Sequence, residues 1–123
     1  MKKPLEIVEK FMQLTNDDHD IEGAVELMAE DIKFIGPATQ CNNRHEYRTL
    51  LEQFIPTHVG WKKHQVFEKG DEVCFIEDIY ISTPQEKKIT LELSEWFKVS
   101  QGKIIEQKVY YDPTEFKNAF GMI

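Results

Sequence analysis

Cysteine is scarce in this chain. Cys41 and Cys74 are its only two, and no CxxC pair occurs, so neither a zinc ribbon nor a dithiol redox motif is present. The four histidines show no metal-ligand spacing and there is no HExxH, so no metal is expected. GxGxxG, P-loop and GxSxG patterns are missing as well. Phosphate cradles and serine nucleophiles therefore lack support, and no cofactor is expected. Basic runs stop at two residues, as at Lys62-Lys63, and the net charge is −7. That balance argues against nucleic acid as a partner, because phosphate neutralisation needs a basic face. No apolar run approaches the roughly 20 residues of a membrane helix. No charged n-region with an apolar h-region follows Met1, so free thiols and a cytoplasmic, reducing setting are expected.

What is present suits one domain over residues 1–123, with 41% hydrophobic and 30% charged residues. Pro4 can open a helix at its first turn. Leu5, Val8, Phe11, Met12 and Thr15 follow at helical spacing. Asp20 reads as the N-cap of a second helix, with Ala24, Val25, Leu27 and Met28 as its apolar stripe. Gly23 inside that stripe implies close packing of the two helices. Ile32 to Ile35 reads as a short strand ended by Gly36-Pro37. Asn43 then caps a third helix carrying Tyr47, Leu50, Leu51 and Phe54, which Pro56 ends.

From Trp61 onward the period becomes two. Strands are predicted over 61–68, 72–82, 89–99 and 103–112, joined by Lys69-Gly70-Asp71, Thr83 to Lys88, and Ser100-Gln101-Gly102. Helices followed by a strand meander make an α+β domain with its helices on one face of the sheet. A three-residue turn at 100–102 would set Val99 opposite Lys103 and Glu95 opposite Gln107. Leu91, Leu93, Glu95, Phe97, Ile105, Gln107, Val109 and Tyr111 then share a mostly apolar inner face. Glu92, Ser94, Trp96 and Lys98 share the outer one with Tyr110, Lys108, Glu106 and Ile104. Glu77 and Asp78 are adjacent, so one of them points inward. Projection of the hairpin favours Cys74, Ile76, Asp78 and Tyr80, and a one-residue slip in the 83–88 loop would exchange the faces.

Three stretches carry a family likeness: DIEGAVELMAEDIKFIGP (20–37), EKGDEVCFIE (68–77) and GKIIEQKVYYD (102–112). Together with the element order, the chain resembles the nuclear transport factor 2-like superfamily, which includes ketosteroid isomerases and SnoaL-like polyketide cyclases. The likeness implies a cone: three N-terminal helices closing a strongly curved sheet (α-α-β-α-β-β-β-β) around a pocket. It further implies a homodimer through the outer sheet face, here marked by Trp96 and Tyr110.

Candidate chemistry centres on Glu95. A carboxyl on an apolar inner face is desolvated and tends to stay protonated, able to donate to a developing oxyanion. By resemblance, Glu95 falls where ketosteroid isomerases carry the aspartic acid of their oxyanion hole. The isomerase base, however, maps to Gly36, and the isomerase tyrosine of the first helix maps to Phe11, which lacks the hydroxyl. Ketosteroid isomerisation is therefore not expected. Asp112 resembles the proton-abstracting aspartate of SnoaL-like cyclases, although Asp-Pro-Thr-Glu reads equally as a helix start. His64 and Asp78 are further candidate bases, His64 reading otherwise as a half-exposed strand residue beside two lysines. Phe11, Phe34, Tyr80, Leu93, Phe97, Gln107, Val109 and Tyr111 are candidate pocket residues, and core packing is the competing role of the aromatics. Three functions stay open. The chain is a cofactor-free isomerase, cyclase or lyase, a non-catalytic binder of a small hydrophobic or carbonyl-containing molecule, or an interaction domain with a closed pocket.

Overall fold

Helix α1 spans Pro4–Asn16, opened by a proline where a missing N–H costs nothing. In this computed structural model, which describes residues 2–121, α1 buries Ile7, Val8, Phe11, Met12 and Leu14 against the sheet. Helix α2 spans Ile21–Glu26, and its Asp20 cap accepts the Gly23 N–H at 3.0 Å. A Cβ on Gly23 would lie 2.7 Å from the Asp20 carboxylate and 3.3 Å from Leu14 of α1. The bare glycine thus permits both the cap and the close seating of α2 on α1. The stripe read as running on to Met28 ends early. Met28 opens strand β1, Met28–Ile35, because it pairs with Ile104 across the sheet, and that pairing overrides local helix propensity.

A two-residue strand β2, Gln40–Cys41, pairs with the end of β1. Helix α3, Arg44–Phe54, is capped by Asn43, whose side chain accepts the Glu46 N–H at 2.8 Å. A single 3₁₀ turn through Pro56 leads into the meander. Its strands are β3 (His58–Lys69), β4 (Glu72–Ser82), β5 (Lys88–Ser100) and β6 (Lys103–Tyr110). A short helix α4, Thr114–Ala119, follows. The sheet has six strands in the order β2-β1-β6-β5-β4-β3, antiparallel except for the parallel pair β1–β6. The domain is therefore α+β, with helices packed on a mostly antiparallel sheet. The β1–β6 pairing joins distant parts of the chain, which no hairpin signal reports.

The turns decide the registers. Gln101 and Gly102 both have positive φ, 51° and 79°, so the β5–β6 connection is a two-residue turn of type I′ rather than the expected three-residue one. Ser100, not Val99, faces Lys103. A bulge beside Val99 then leaves Ile105 unpaired, and Glu95 faces Val109 while Phe97 faces Gln107. The bulge turns Ile104 into the core, where it is fully buried, and Ile105 away from it. Beyond the bulge the faces are those expected, because the net shift is two residues. In β4 the faces are exchanged. Ile79 pairs with Leu91, so Val73, Phe75, Glu77, Ile79 and Ile81 point inward, and Cys74, Ile76, Asp78 and Tyr80 point outward. Both cysteines are free. Three strands separate β2 from β4, roughly 19 Å at the usual spacing, and no disulfide spans that.

Candidate functional site

Between the inner sheet face and helices α1, α3 and α4 lies a cavity of about 240 Å³. Its walls are mostly apolar: Phe11 from α1, Phe34 from β1, Leu51 and Phe54 from α3, Ile79 and Leu93 from the sheet, and Phe116 from α4. Polar side chains interrupt this surface, among them Thr15, Thr39, Gln53 and Tyr111, and those that hydrogen-bond to one another across elements gather at two places.

The first is a chain of hydrogen bonds through Glu95. The Tyr47 hydroxyl donates to Gln107 Oε1, and Gln107 Nε2 donates to Glu95 Oε2 at 3.5 Å. All three side chains are buried, and all three line the cavity. The tyrosine fixes the amide orientation, and the amide marks Oε2 as the acceptor oxygen of Glu95. In the neutral acid the proton therefore sits on Oε1. Behind Glu95 is Glu77, 1% exposed, with neither carboxyl oxygen accepting a hydrogen bond from a described side chain. Two carboxyls can hydrogen-bond only by sharing a proton, so these oxygens are satisfied only if the pair retains one. Burial, then the Glu95 charge, drives the Glu77 carboxyl far above its usual range. Burial also raises Glu95, while hydrogen bonding from Glu77 pulls it back, leaving it near 7. The Tyr47 hydroxyl is likewise pushed up, by burial first and then by Glu95.

The second polar place is the far end of α1. His58, the first residue of β3, holds its Nδ1 3.3 Å from Asn16 Oδ1. Both residues line the cavity. Trp61 Nε1 donates to Asp17 at 2.9 Å, tying β3 to the end of α1. Burial, then the charge of His19, lowers His58 to about 4, so the imidazole is neutral at ordinary pH.

Of the residues singled out in the sequence, Glu95, Phe11, Phe34, Leu93, Gln107, Val109 and Tyr111 line this cavity. Phe97 does not; it is fully buried with its ring 5.7 Å from that of Phe11. Tyr80 and Asp78 are on the outer face, a correction that follows from the β4 register. His64 is out there too, its Nε2 2.9 Å from Asp78 Oδ2, because the bulge between Lys63 and Gln65 removes it from the ladder. Asp112 is exposed and accepts the Thr114 N–H at 3.0 Å, the helix-start role; this holds its carboxyl below the usual range. None of these three candidate bases meets Glu95. Sequence reading missed Tyr47, Glu77 and His58 as site residues. Tyr47 and Leu51 lie on one face of α3 at i, i+4, which pointed inward. Nothing local marks His58, which reaches the cavity through its pairing with Asn16, far away in sequence.

An α-α-β-α unit feeding a meander, with β1 returning parallel to β6, is the nuclear transport factor 2-like fold. Solved structures agree. An NTF2-like protein of unknown function from Cytophaga hutchinsonii superposes with a TM-score of 0.78 at 24% identity, over 94% of this chain and 96% of that one. One from Burkholderia pseudomallei, also of unknown function, gives 0.84 at 12% identity over 98% of each chain. An epoxide hydrolase/cyclase-like enzyme of pyran ring formation in the polyether salinomycin gives 0.81 at 17% identity, over 90% of this chain and 92% of that one. Among curated protein sequences none is significantly similar. The sequence profile of the SnoaL-like domain matches residues 8–107, and the chain belongs to that family. Among the described residues, no helix is long and apolar enough to cross a membrane.

Proposed function

We propose that this SnoaL-like protein binds a small, mostly apolar, oxygen-bearing molecule in the cavity and catalyses a cofactor-free isomerisation or ring closure, with Glu95 as proton donor. The observation that carries the reading is the Tyr47–Gln107–Glu95 chain on an otherwise apolar wall. A neutral Glu95 gives its Oε1 proton to a carbonyl oxygen while water takes the proton beside the carbonyl, leaving an enol. With an epoxide, it gives that proton to the epoxide oxygen while a hydroxyl of the same ligand attacks the epoxide carbon, breaking its C–O bond, closing the new ring and passing its own proton to water. Glu77 then supplies a hydrogen bond to the carboxylate left behind. The domain family and the cyclase-like neighbour support this class of reaction.

The reaction of a simple ketone tests it. With 1-tetralone in D₂O, Glu95 donates to the carbonyl oxygen, water takes the proton beside the carbonyl, and reversal returns a deuteron. Loss of that C–H signal in proton NMR is expected to run faster with protein than in buffer. The acid form is the active one, so the rate is high below the Glu95 value near 7 and falls as pH rises through it. A bound ketone with no accelerated exchange at any pH would instead show a binding protein without turnover. That second reading draws on Asp78, His64 and Asp112 all being away from Glu95.

The outer sheet face supports a homodimer within the same proposal. Phe67, Ile76 and Tyr110 are 56%, 39% and 59% exposed. They sit in adjacent cross-strand rows with Trp96, whose ring is held by Glu72 and covered by Lys108. Light scattering at micromolar concentration is expected to give twice the chain mass, and Tyr110→Glu to give the monomer. Wild type running as a monomer rejects the dimer.

A further inference from the structure

His58 and Asn16 hold an unused acceptor at the end of the cavity away from Glu95. The Asn16 atom facing the ring is Oδ1, an acceptor, so Nδ1 of the neutral imidazole carries the hydrogen. The other nitrogen, Nε2, is then a lone-pair acceptor. No described side chain donates to it, and His58 is on the cavity wall. The spacing of the two polar ends follows from α1, which runs along the cavity. Phe11 packs against Phe97 and Tyr47, with ring centroids at 5.7 and 6.4 Å, beside the Glu95 end. Asn16 lies five residues further on, roughly 7–8 Å at the α-helical rise. Between them α1 offers Thr15, whose hydroxyl already donates to the Phe11 carbonyl at 3.0 Å, and the sheet wall is apolar at Ile79, Leu91 and Leu93. A cavity of about 150 Å³ encloses one benzene ring, so about 240 Å³ holds one or two rings, not four.

We propose that His58, its tautomer set by Asn16, is the second polar anchor of this cavity, and that the ligand is a one- or two-ring ketone or epoxide bearing a hydroxyl at the opposite end. The oxygen to be protonated lies at Glu95 and Gln107, and the remote hydroxyl donates to His58 Nε2. A protonated imidazole could not accept that bond, and an Nε2–H tautomer would repel it. Asn16 is thus a positioning residue, acting through the imidazole. This inference rests on the cavity being the ligand site, as proposed above.

The test compares 6-hydroxy-1-tetralone, 6-methoxy-1-tetralone and 1-tetralone by isothermal titration. Wild type is expected to bind the hydroxyketone about tenfold tighter than either of the others, since a buried acceptor left unpaired weakens their binding. In folded His58→Phe the preference for the hydroxyketone over the other two falls below twofold. In Asn16→Ala the preference also falls, and the His58 ring loses its single Nδ1–H form in the nitrogen-15 spectrum. Nitrogen-15 NMR of wild type is expected to show an Nδ1–H, unprotonated-Nε2 ring whose Nε2 resonance moves with the hydroxyketone and not with the methoxyketone. An Nε2–H tautomer, or equal affinity for all three ketones, overturns the anchor while leaving the cavity as the binding site. Binding of none of them overturns the cavity reading and the anchor with it.

Discussion

Glu95→Gln will lose ketone exchange by about 100-fold or more while its 1-tetralone affinity stays within about threefold of wild type. The amide has the shape of the acid and can still accept from Gln107 Nε2, so the Tyr47–Gln107 chain persists. What disappears is the acidic O–H. Removal of one donor to a developing oxyanion typically costs 10²–10³ in rate, and loss of a general acid 10²–10⁴. Because ground-state binding is mostly apolar contact with the cavity walls, the loss belongs in turnover rather than affinity. The fold should be unharmed, since a neutral side chain replaces one that burial already keeps partly protonated. Activity retained in the folded variant, with its pH profile unchanged, would remove Glu95 from the chemistry.

How Glu95 could be found in the sequence, and Glu77 could not, is a matter of register. Alternation along β5 alone places Glu95 with Leu91, Leu93 and Phe97 on the apolar face, whatever its partners are. The same alternation along β4 gives two answers, because Val73, Phe75 and Ile79 compete with Cys74, Ile76 and Tyr80 as the apolar set. The choice depends on the 83–87 loop, where Glu86 takes a positive φ of 62° and Thr83 accepts the Lys87 N–H. A one-residue difference there moved the candidate acid from Asp78 to Glu77. On β6 the expected and observed turns differ too, yet Gln107 and Val109 stayed inward because the bulge compensated.

The fold itself was more legible than the site. Caps at Asp20 and Asn43, Pro4 and Pro56, and the glycines at the hairpins all act locally, within a few residues. The β1–β6 parallel pair and the Asn16–His58 contact act across the chain, and pattern carries no trace of them. His64 shows the converse error. Its surroundings looked ordinary, and it does make a close carboxylate contact, but with Asp78 on the outer face.

Glu77→Gln is expected to make the protein more stable than wild type, by an amount that grows with pH. Wild-type Glu77 is buried beside Glu95, and among the described residues no side chain donates to its oxygens. Its folded-state value is raised above the ordinary 4.5, by burial first and the Glu95 charge second. Below 4.5 both folded and unfolded chains carry the proton, and the carboxyl has no pH-dependent effect. Above it the unfolded chain releases the proton and the folded one retains it, so stability falls as pH rises towards the folded value. One retained proton corresponds to about 1.4 kcal/mol per pH unit. Between pH 5 and pH 8 that bounds the effect near 4 kcal/mol, and relaxation around the charge brings the expected gain to about 1–3 kcal/mol at pH 8. At pH 5 the two proteins should agree within about 0.5 kcal/mol. His58 works the other way, since its lowered value makes stability rise with pH between about 4 and 6.5. It is common to both proteins and cancels in their difference. The glutamine amide can still donate to Glu95, whereas Glu77→Leu removes the donor and should push the Glu95 value higher, moving the exchange profile to higher pH. Urea unfolding at pH 5, 6.5 and 8 reads the stability, and parallel curves for wild type and Glu77→Gln would show that the pair holds no shared proton.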